Sequence, residues 1–185
     1  MLPFTLDIYF AAVAQFGQTI WPVPLATHAL GAAALLCAFA GRQAGLRVSL
    51  VILSAGWFTC GAGFHLYSFA AINFAAPAYA ALFFVQAVLL AWFAGRQGMI
   101  DLSWRGGARG VYAVVIALGA LLVWPPIGFF AGGGLPTGLF FGVDPTATVL
   151  LTLALLVLVE GRAAAWLLPI PVFWTLVDGA TFYVL

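Results

Sequence analysis

The length of the apolar runs is the feature that most constrains how this chain can fold. Six runs of 16 to 24 residues each carry at most one charged side chain. A bilayer core of about 30 Å needs roughly 20 apolar residues in helical form. The pattern therefore predicts an all-α membrane protein with about six transmembrane helices in one domain, residues 1–185. The predicted spans are residues 21–41, 47–70, 76–95, 109–131, 145–160 and 163–184.

The charge content supports lipid as the main solvent. Hydrophobic residues make up 65% of the chain and charged residues 6%, whereas a soluble domain carries roughly 25% charged residues. The net charge is +1, without a basic run. Nucleic-acid binding needs a concentrated cationic surface, so the expected partners are the lipid bilayer and other membrane protein subunits, and no nucleic acid.

The placement of the basic residues predicts the orientation. The basic residues lie in or beside the connections between spans one and two, three and four, and five and six. The opposite connections, around Asn73 and over residues 132–144, have none. By the positive-inside rule the arginine connections are cytoplasmic. We expect three out–in–out hairpins in a bacterial cytoplasmic (inner) membrane, with both termini on the periplasmic or external side. The basic residues are Arg42, Arg47, Arg96, Arg105, Arg109 and Arg162.

Residues of about 3–18 precede the first span. This segment is apolar with sparse polar positions, which favours a short helix at the interface or leaning into the bundle. The break Trp21-Pro22-Val23-Pro24 is expected to end it.

A short motif recurs at two cytoplasmic ends. Phe39-Ala40-Gly41-Arg42-Gln43 is repeated as Phe93-Ala94-Gly95-Arg96-Gln97. One explanation is a common stop signal, because a Gly-Arg pair suits the cytoplasmic end of any span. The other is a parallel duplication, as in some transporters.

Three ionisable residues fall inside the predicted spans: His28, His65 and Asp178. Such residues are costly in lipid and mark candidate functional sites. Counted along helices from the nearest arginine, they lie roughly 21 to 27 Å above the cytoplasmic level. They form a candidate polar site in the outer third of the membrane, where Asp178 is expected to contact one of the histidines or water between them.

The two histidines allow two interpretations. They could clamp a haem or a metal between spans one and two, because imidazole is a common ligand. Alternatively each ring hydrogen-bonds a neighbouring helix or interfacial water. Since no thiolate or carboxylate stands at ligand spacing, no cofactor, no metal and no catalytic residue is predicted. Counted along helices, the depths of Cys37 and Cys60 differ by roughly 12 Å, whereas a disulfide needs Cα atoms within roughly 7 Å, so both are expected to be free thiols.

Proline and glutamine positions are read as structural. Trp124-Pro125-Pro126-Ile127-Gly128 is expected to kink or end span four, freeing backbone carbonyls. Pro169 and Pro171 should do the same in span six, where neighbours must bond the freed carbonyls. Gln86 is expected to hydrogen-bond between helices.

Short motifs spread over nearly the whole chain are similar to those of a known protein family. They are Trp21-Pro22, Phe64-His65-Leu66 through Phe69, Ile72-Asn73, Ala76, Phe84, Gln86, and Phe141-Gly142-Val143-Asp144-Pro145 with Thr148 and Thr152. In them the chain resembles a family of uncharacterised small bacterial multi-pass membrane proteins, a domain of unknown function. The resemblance implies Cys-Pro directly after the proline, where this chain has Thr146 and Ala147. Thiol chemistry at that place is therefore not expected here.

Two classes of function remain. Recognisable nucleophilic triads, His-Glu-x-x-His and Cys-x-x-Cys motifs are absent from the sequence, and so is any lysine. The favoured interpretation is a non-catalytic accessory or structural subunit of a larger membrane assembly. The alternative is a small permease or channel for an uncharged or weakly polar solute. A closed packed core would favour the first, and a continuous polar path the second.

Overall fold

The computed structural model describes residues 5–96, 98–100, 107–132 and 137–184, and their regular structure is helical. Two helices run on through π-helical stretches, at Cys60–Ser68 and Gly119–Val123, the first of which ends in a 3₁₀ turn at Phe69–Ala71. The elements are α1 (Leu6–Thr19), α2 (Val23–Phe39), α3 (Gln43–Thr59), α4 (Ala76–Gly95), α5 (Ala108–Leu118), α6 (Trp124–Gly132), α7 (Pro145–Leu156), α8 (Arg162–Leu167) and α9 (Pro169–Val184).

Three of these helices are long and apolar enough to cross a membrane. They are Gln43–Ala71, Ala76–Gly95 and Ala108–Phe130, and the bent pair α1–α2 would make a fourth. The helix predicted at residues 76–95 is observed at those residues as α4. The helix predicted to begin at residue 47 begins four residues earlier, at Gln43 of α3. The regions of spans five and six form shorter helices, because α7 has 12 residues and a break at Leu168 separates α8 from α9.

The N-terminal helix leans into the bundle. Thr5 caps α1 by accepting a hydrogen bond from the Ile8 N–H at 3.5 Å, and α1 meets α2 at 96°. Tyr9, Val13 and Phe16 on one face of α1 are buried. Residues 3 and 4 of the predicted segment lie outside the described residues.

The double proline does not end the helix of the predicted fourth span, which was one of the two expected outcomes, but it does free a backbone carbonyl as predicted. The chain passes from the π-helical stretch straight into α6, which includes Pro125 and Pro126. The carbonyl of Leu121 loses its intrahelical donor, because the residues four and five positions on are both prolines. His28 Nε2 lies 3.1 Å from this oxygen and replaces the missing donor.

The same arrangement occurs at the break between α8 and α9. Pro171 stands four residues after Leu167, so the Leu167 carbonyl lacks its usual donor. Gln86 Nε2 on α4 donates to that oxygen at 3.1 Å. The interhelical role predicted for Gln86 is confirmed, and its partner is a carbonyl that a proline frees.

The short helix α7 lies at the centre of the bundle. It packs against α2, α3, α5 and α9, and nine of its twelve residues are buried. Trp57 of α3 donates to Thr152 on α7 at 2.8 Å. The surrounding core is closed and apolar, with Leu53, Phe83 and Leu155 fully buried.

Candidate functional site at the N-terminal end of α7

The connection that leads into α7 is buried, although the sequence predicted an outer loop over residues 132–144. Every described residue from Thr137 to Asp144 is buried. We call residues 137–144 the buried segment; the glycine-rich residues 133–136 lie outside the described part of the chain. Irregular backbone can be buried only when its polar groups are hydrogen-bonded.

Side chains from three helices provide those hydrogen bonds. The Gly142 N–H donates to Thr148 Oγ1 at 2.9 Å, and Thr59 Oγ1 donates to the Gly142 carbonyl at 3.1 Å. The Phe141 N–H donates to His28 Nδ1 at 3.3 Å. Since His28 Nε2 faces a carbonyl, these two contacts fit a neutral imidazole protonated at Nε2. His28 thereby joins α2 to the π-helical stretch between α5 and α6 and to the buried segment.

The Phe141 ring anchors the buried segment between α2 and α3. A Cβ atom on Gly31 of α2 would lie 2.9 Å from two ring carbons, and one on Gly56 of α3 would overlap the ring. Only residues without a side chain leave this space. Gly142 adopts φ +78, a left-handed conformation that favours glycine.

Asp144 closes the buried segment and is fully buried. Its Oδ2 accepts from the Ala147 N–H at 2.7 Å and so caps α7. The same oxygen accepts from Trp124 Nε1 at 2.9 Å, and Oδ1 accepts from the Tyr9 hydroxyl at 3.3 Å. One carboxylate thus ties α1, α6 and α7 together.

A second carboxylate lies beside the first. Asp178 of α9 is 8% exposed, and its Oδ2 accepts from Thr146 Oγ1 at 2.6 Å. Thr146 is two residues from Asp144, so the two acids flank the start of α7. Asp178 also lines a crevice of about 30 Å³ together with Tyr9, Asn73 and Trp174, which is room for one or two water molecules.

His65 sits behind the wall of this crevice in an aromatic cage. The side chain is fully buried, and neither Nδ1 nor Nε2 has a hydrogen-bond partner among the described residues. The nearest rings are those of Phe83 at 4.6 Å and Trp174 at 5.0 Å between centroids. Trp174 Nε1 is likewise buried without a described partner. The remaining rings of the cage belong to Phe64, Phe69 and Tyr79.

The three predicted site residues therefore occupy two different surroundings. Asp178 lines the crevice together with Trp174, and the His65 ring packs against the Trp174 ring. His28 lies on the buried segment instead, and the described hydrogen-bond partner of Asp178 is Thr146 rather than an imidazole. A haem clamped by both histidines does not fit these contacts, because both His28 nitrogens are engaged and five rings enclose His65. Among the described residues, no three His, Cys, Asp or Glu side chains group at metal-binding distance.

Asp144, Tyr9 and Trp124 were not predicted to be members of one site. Asp144 before Pro145 is a typical helix N-cap pattern and could have been recognised as one. Tyr9 and Trp124 carry no such pattern, because their contacts to Asp144 join positions 135 and 20 residues away.

A family model, that of a family of unknown function (DUF6064), matches residues 6–185, nearly the whole chain. No curated protein and no solved structure is similar to the chain at a significant level.

Proposed function

The chain belongs to the family of unknown function DUF6064, and on that premise we propose that it is a multi-pass protein of the bacterial cytoplasmic membrane. In this proposal it is a non-catalytic subunit of a larger membrane assembly. Six spans would be formed by α2, by α3 with its π-helical extension, by α4, by α5–α6, by α7 and by α8–α9. The arginine connections would face the cytoplasm and both termini the periplasmic or external side.

The short helix α7 is compatible with six membrane-spanning segments. Twelve residues reach about 18 Å, well short of a bilayer core of about 30 Å. The buried segment continues from its N-terminal end inside the protein. Irregular backbone is tolerated at membrane depth when protein surrounds it, so α7 and the buried segment together can complete a crossing.

The observation that carries the proposal is how the buried polar groups are used. His28, Gln86 and Asp144 hydrogen-bond to the chain's own backbone or side chains, and the core around them is closed. Meanwhile large apolar side chains face outward, among them Leu36 at 72% and Phe58 at 57% exposure. A chain that hydrogen-bonds these buried polar groups internally and presents wide apolar faces is suited to packing against lipid and other membrane subunits.

Purification in mild detergent from the native host tests the subunit proposal. A partner protein should co-purify with the chain in a fixed molar ratio. A photoreactive amino acid at Phe58 or Leu36 should crosslink to that partner. The matched control places the photoreactive residue at Phe83, which is fully buried and should crosslink only within the chain. A chain that purifies alone, with no specific crosslink from either exposed position, would argue against an assembly.

Reporter fusions test the orientation separately. Fusions after Arg42, Arg105 and Arg162 should report the cytoplasm, and fusions after Asn73, Pro136 and Leu185 should report the outside. The six-span arrangement is wrong if the C-terminal fusion reports the cytoplasm.

A second candidate function is a small permease for an uncharged or weakly polar solute. The crevice favours it, because Asp178, Tyr9 and Asn73 place polar groups around a small space. Proteoliposomes containing the purified chain would then swell faster in glycerol or urea than empty vesicles, and Asp178→Asn would remove the difference. Equal swelling of loaded and empty vesicles would leave only the subunit proposal.

A further inference from the structure

We propose that a groove between α4 and α8 binds one anionic phospholipid, with its phosphate held by Arg96 and Arg162. This inference rests on the proposed membrane location. The groove has a volume of about 520 Å³, within the range of about 300 to 1,000 Å³ typical of small-molecule sites. Its walls include Val88 and Trp92 from α4 and Trp166 from α8.

The walls suit an acyl chain. Val88, Trp92 and Trp166 are 66%, 54% and 65% exposed, so they present apolar surface that no described residue covers. Met99, which also lines the groove, is half exposed and has a flexible side chain. Unbranched, adaptable methionines suit irregular apolar ligands. A hydrocarbon tail lying along these side chains would cover surface that is otherwise exposed.

The charged end of the groove suits a phosphate. Arg162 lines the groove directly. The guanidinium of Arg96 lies 3.9 Å from the centroid of the Trp92 ring, and Trp92 forms part of the wall. Neither guanidinium forms an ion pair with a carboxylate of the described residues, whereas nearby Glu160 pairs with Arg109 at 3.2 Å. Arginine forks bind phosphate oxygens through paired N–H groups.

The combination points to a lipid rather than to a protein segment. Tryptophan and arginine together are typical of the headgroup level of a membrane. Basic pockets between helices on the cytoplasmic side bind anionic headgroups. One guanidinium group on the wall and a second stacked on the wall residue Trp92, together with the apolar side chains, match a molecule with one anionic head and a long apolar tail.

Native mass spectrometry of the full chain tests the proposal. The detergent-purified, delipidated protein is mixed with phosphatidylglycerol or with phosphatidylcholine carrying the same acyl chains. Wild type should retain one phosphatidylglycerol selectively. The double variant Arg96→Gln with Arg162→Gln should lose about twenty-five-fold in that selectivity, because each arginine near an anionic surface contributes a factor of about five. Arg42→Gln is the matched control, since it removes an exposed arginine from another connection, and should retain the lipid.

Each other outcome has a separate meaning. If Arg42→Gln loses as much selectivity as the double variant, overall charge and not the groove attracts the lipid, and the proposal is wrong. If excess inorganic phosphate displaces the lipid completely, the arginines bind phosphate without the tail, and the proposal is also wrong. The proposed membrane location is tested separately, by cell fractionation before purification. A chain that does not fractionate with membranes would contradict that location, whereas the lipid selectivity measured in detergent tests only the groove.

Discussion

The buried segment and the crevice share the N-terminal end of α7 but use their polar groups in opposite ways. At the buried segment, His28 and Thr148 accept from the N–H groups of Phe141 and Gly142, which would otherwise be unpaired. Asp144 in the same way accepts from the Ala147 N–H at the start of α7. Behind the crevice, both nitrogens of His65 and the indole nitrogen of Trp174 have no described partner. The hydrogen bonds at the buried segment therefore stabilise the fold. The unpaired polar atoms behind the crevice lower the stability of the folded chain, so the crevice is the better candidate for a binding role.

Asp144→Ala should produce the largest loss of stability. The substitution removes the N-cap of α7 and the acceptor for Trp124 Nε1 and the Tyr9 hydroxyl. A lost cap costs about 1 kcal/mol, and each hydrogen bond to a buried charged group about 1.5 to 3. We expect a loss of roughly 3 kcal/mol or more in the free energy of unfolding, measured by denaturation in detergent.

Asp7→Ala is the matched control for this variant, because Asp7 is an exposed acid in the first turn of α1. It should change stability by less than about 0.5 kcal/mol. Equal stability of both variants would mean that the buried segment does not depend on its carboxylate.

Gly56→Ala tests how tightly the buried segment is packed. The added methyl group would overlap the Phe141 ring, and overpacking of this kind costs about 1 to 3 kcal/mol. Gly95→Ala adds the same group where no atom lies within 4 Å and should be close to neutral.

The same substitution in a Phe141→Leu background identifies the cause. The penalty of Gly56→Ala should shrink there, because the smaller side chain leaves room for the methyl group. An unchanged penalty would place the strain elsewhere than at the Phe141 ring.

Exchanging each histidine for phenylalanine compares the two regions directly. His28→Phe leaves the Leu121 carbonyl and the Phe141 N–H without their partner and should cost about 1 to 3 kcal/mol. His65→Phe replaces unpaired polar atoms by a ring of similar shape inside an aromatic cage, and should leave stability unchanged or raise it. Thermal unfolding of the two purified variants measures the difference. A destabilised His65→Phe would show that this imidazole has a partner, and the contrast between the regions would fail.

The sequence predicts regular helices better than it predicts the site. Span 76–95 was found at its predicted residues because a run of twenty residues without a charge, with Gln86 as its strongly polar position, indicates a spanning helix. The need to bond carbonyls freed by proline was also foreseeable, since proline lacks an N–H. The buried segment was missed because its composition matches that of an outer loop, and only contacts distant along the chain, such as Phe141 with Gly31 and Gly56, show that it is buried.

Asp178→Asn should have the smallest effect on stability and the most informative effect on function. An amide oxygen can still accept from Thr146 Oγ1, so the change in the free energy of unfolding should stay below about 1 kcal/mol. Thr146→Val removes this hydrogen bond from the other side and serves as the matched variant. If Asp178 only positions α9 against α7, both variants should behave like the wild type in co-purification and swelling assays, and Thr146→Val should be the less stable of the two. If the carboxylate itself serves a solute in the crevice, Asp178→Asn alone should lose the swelling activity while Thr146→Val retains it. A carboxylate that is needed for function but not for stability would separate the crevice from the buried segment, where the Asp144 carboxylate is needed for stability.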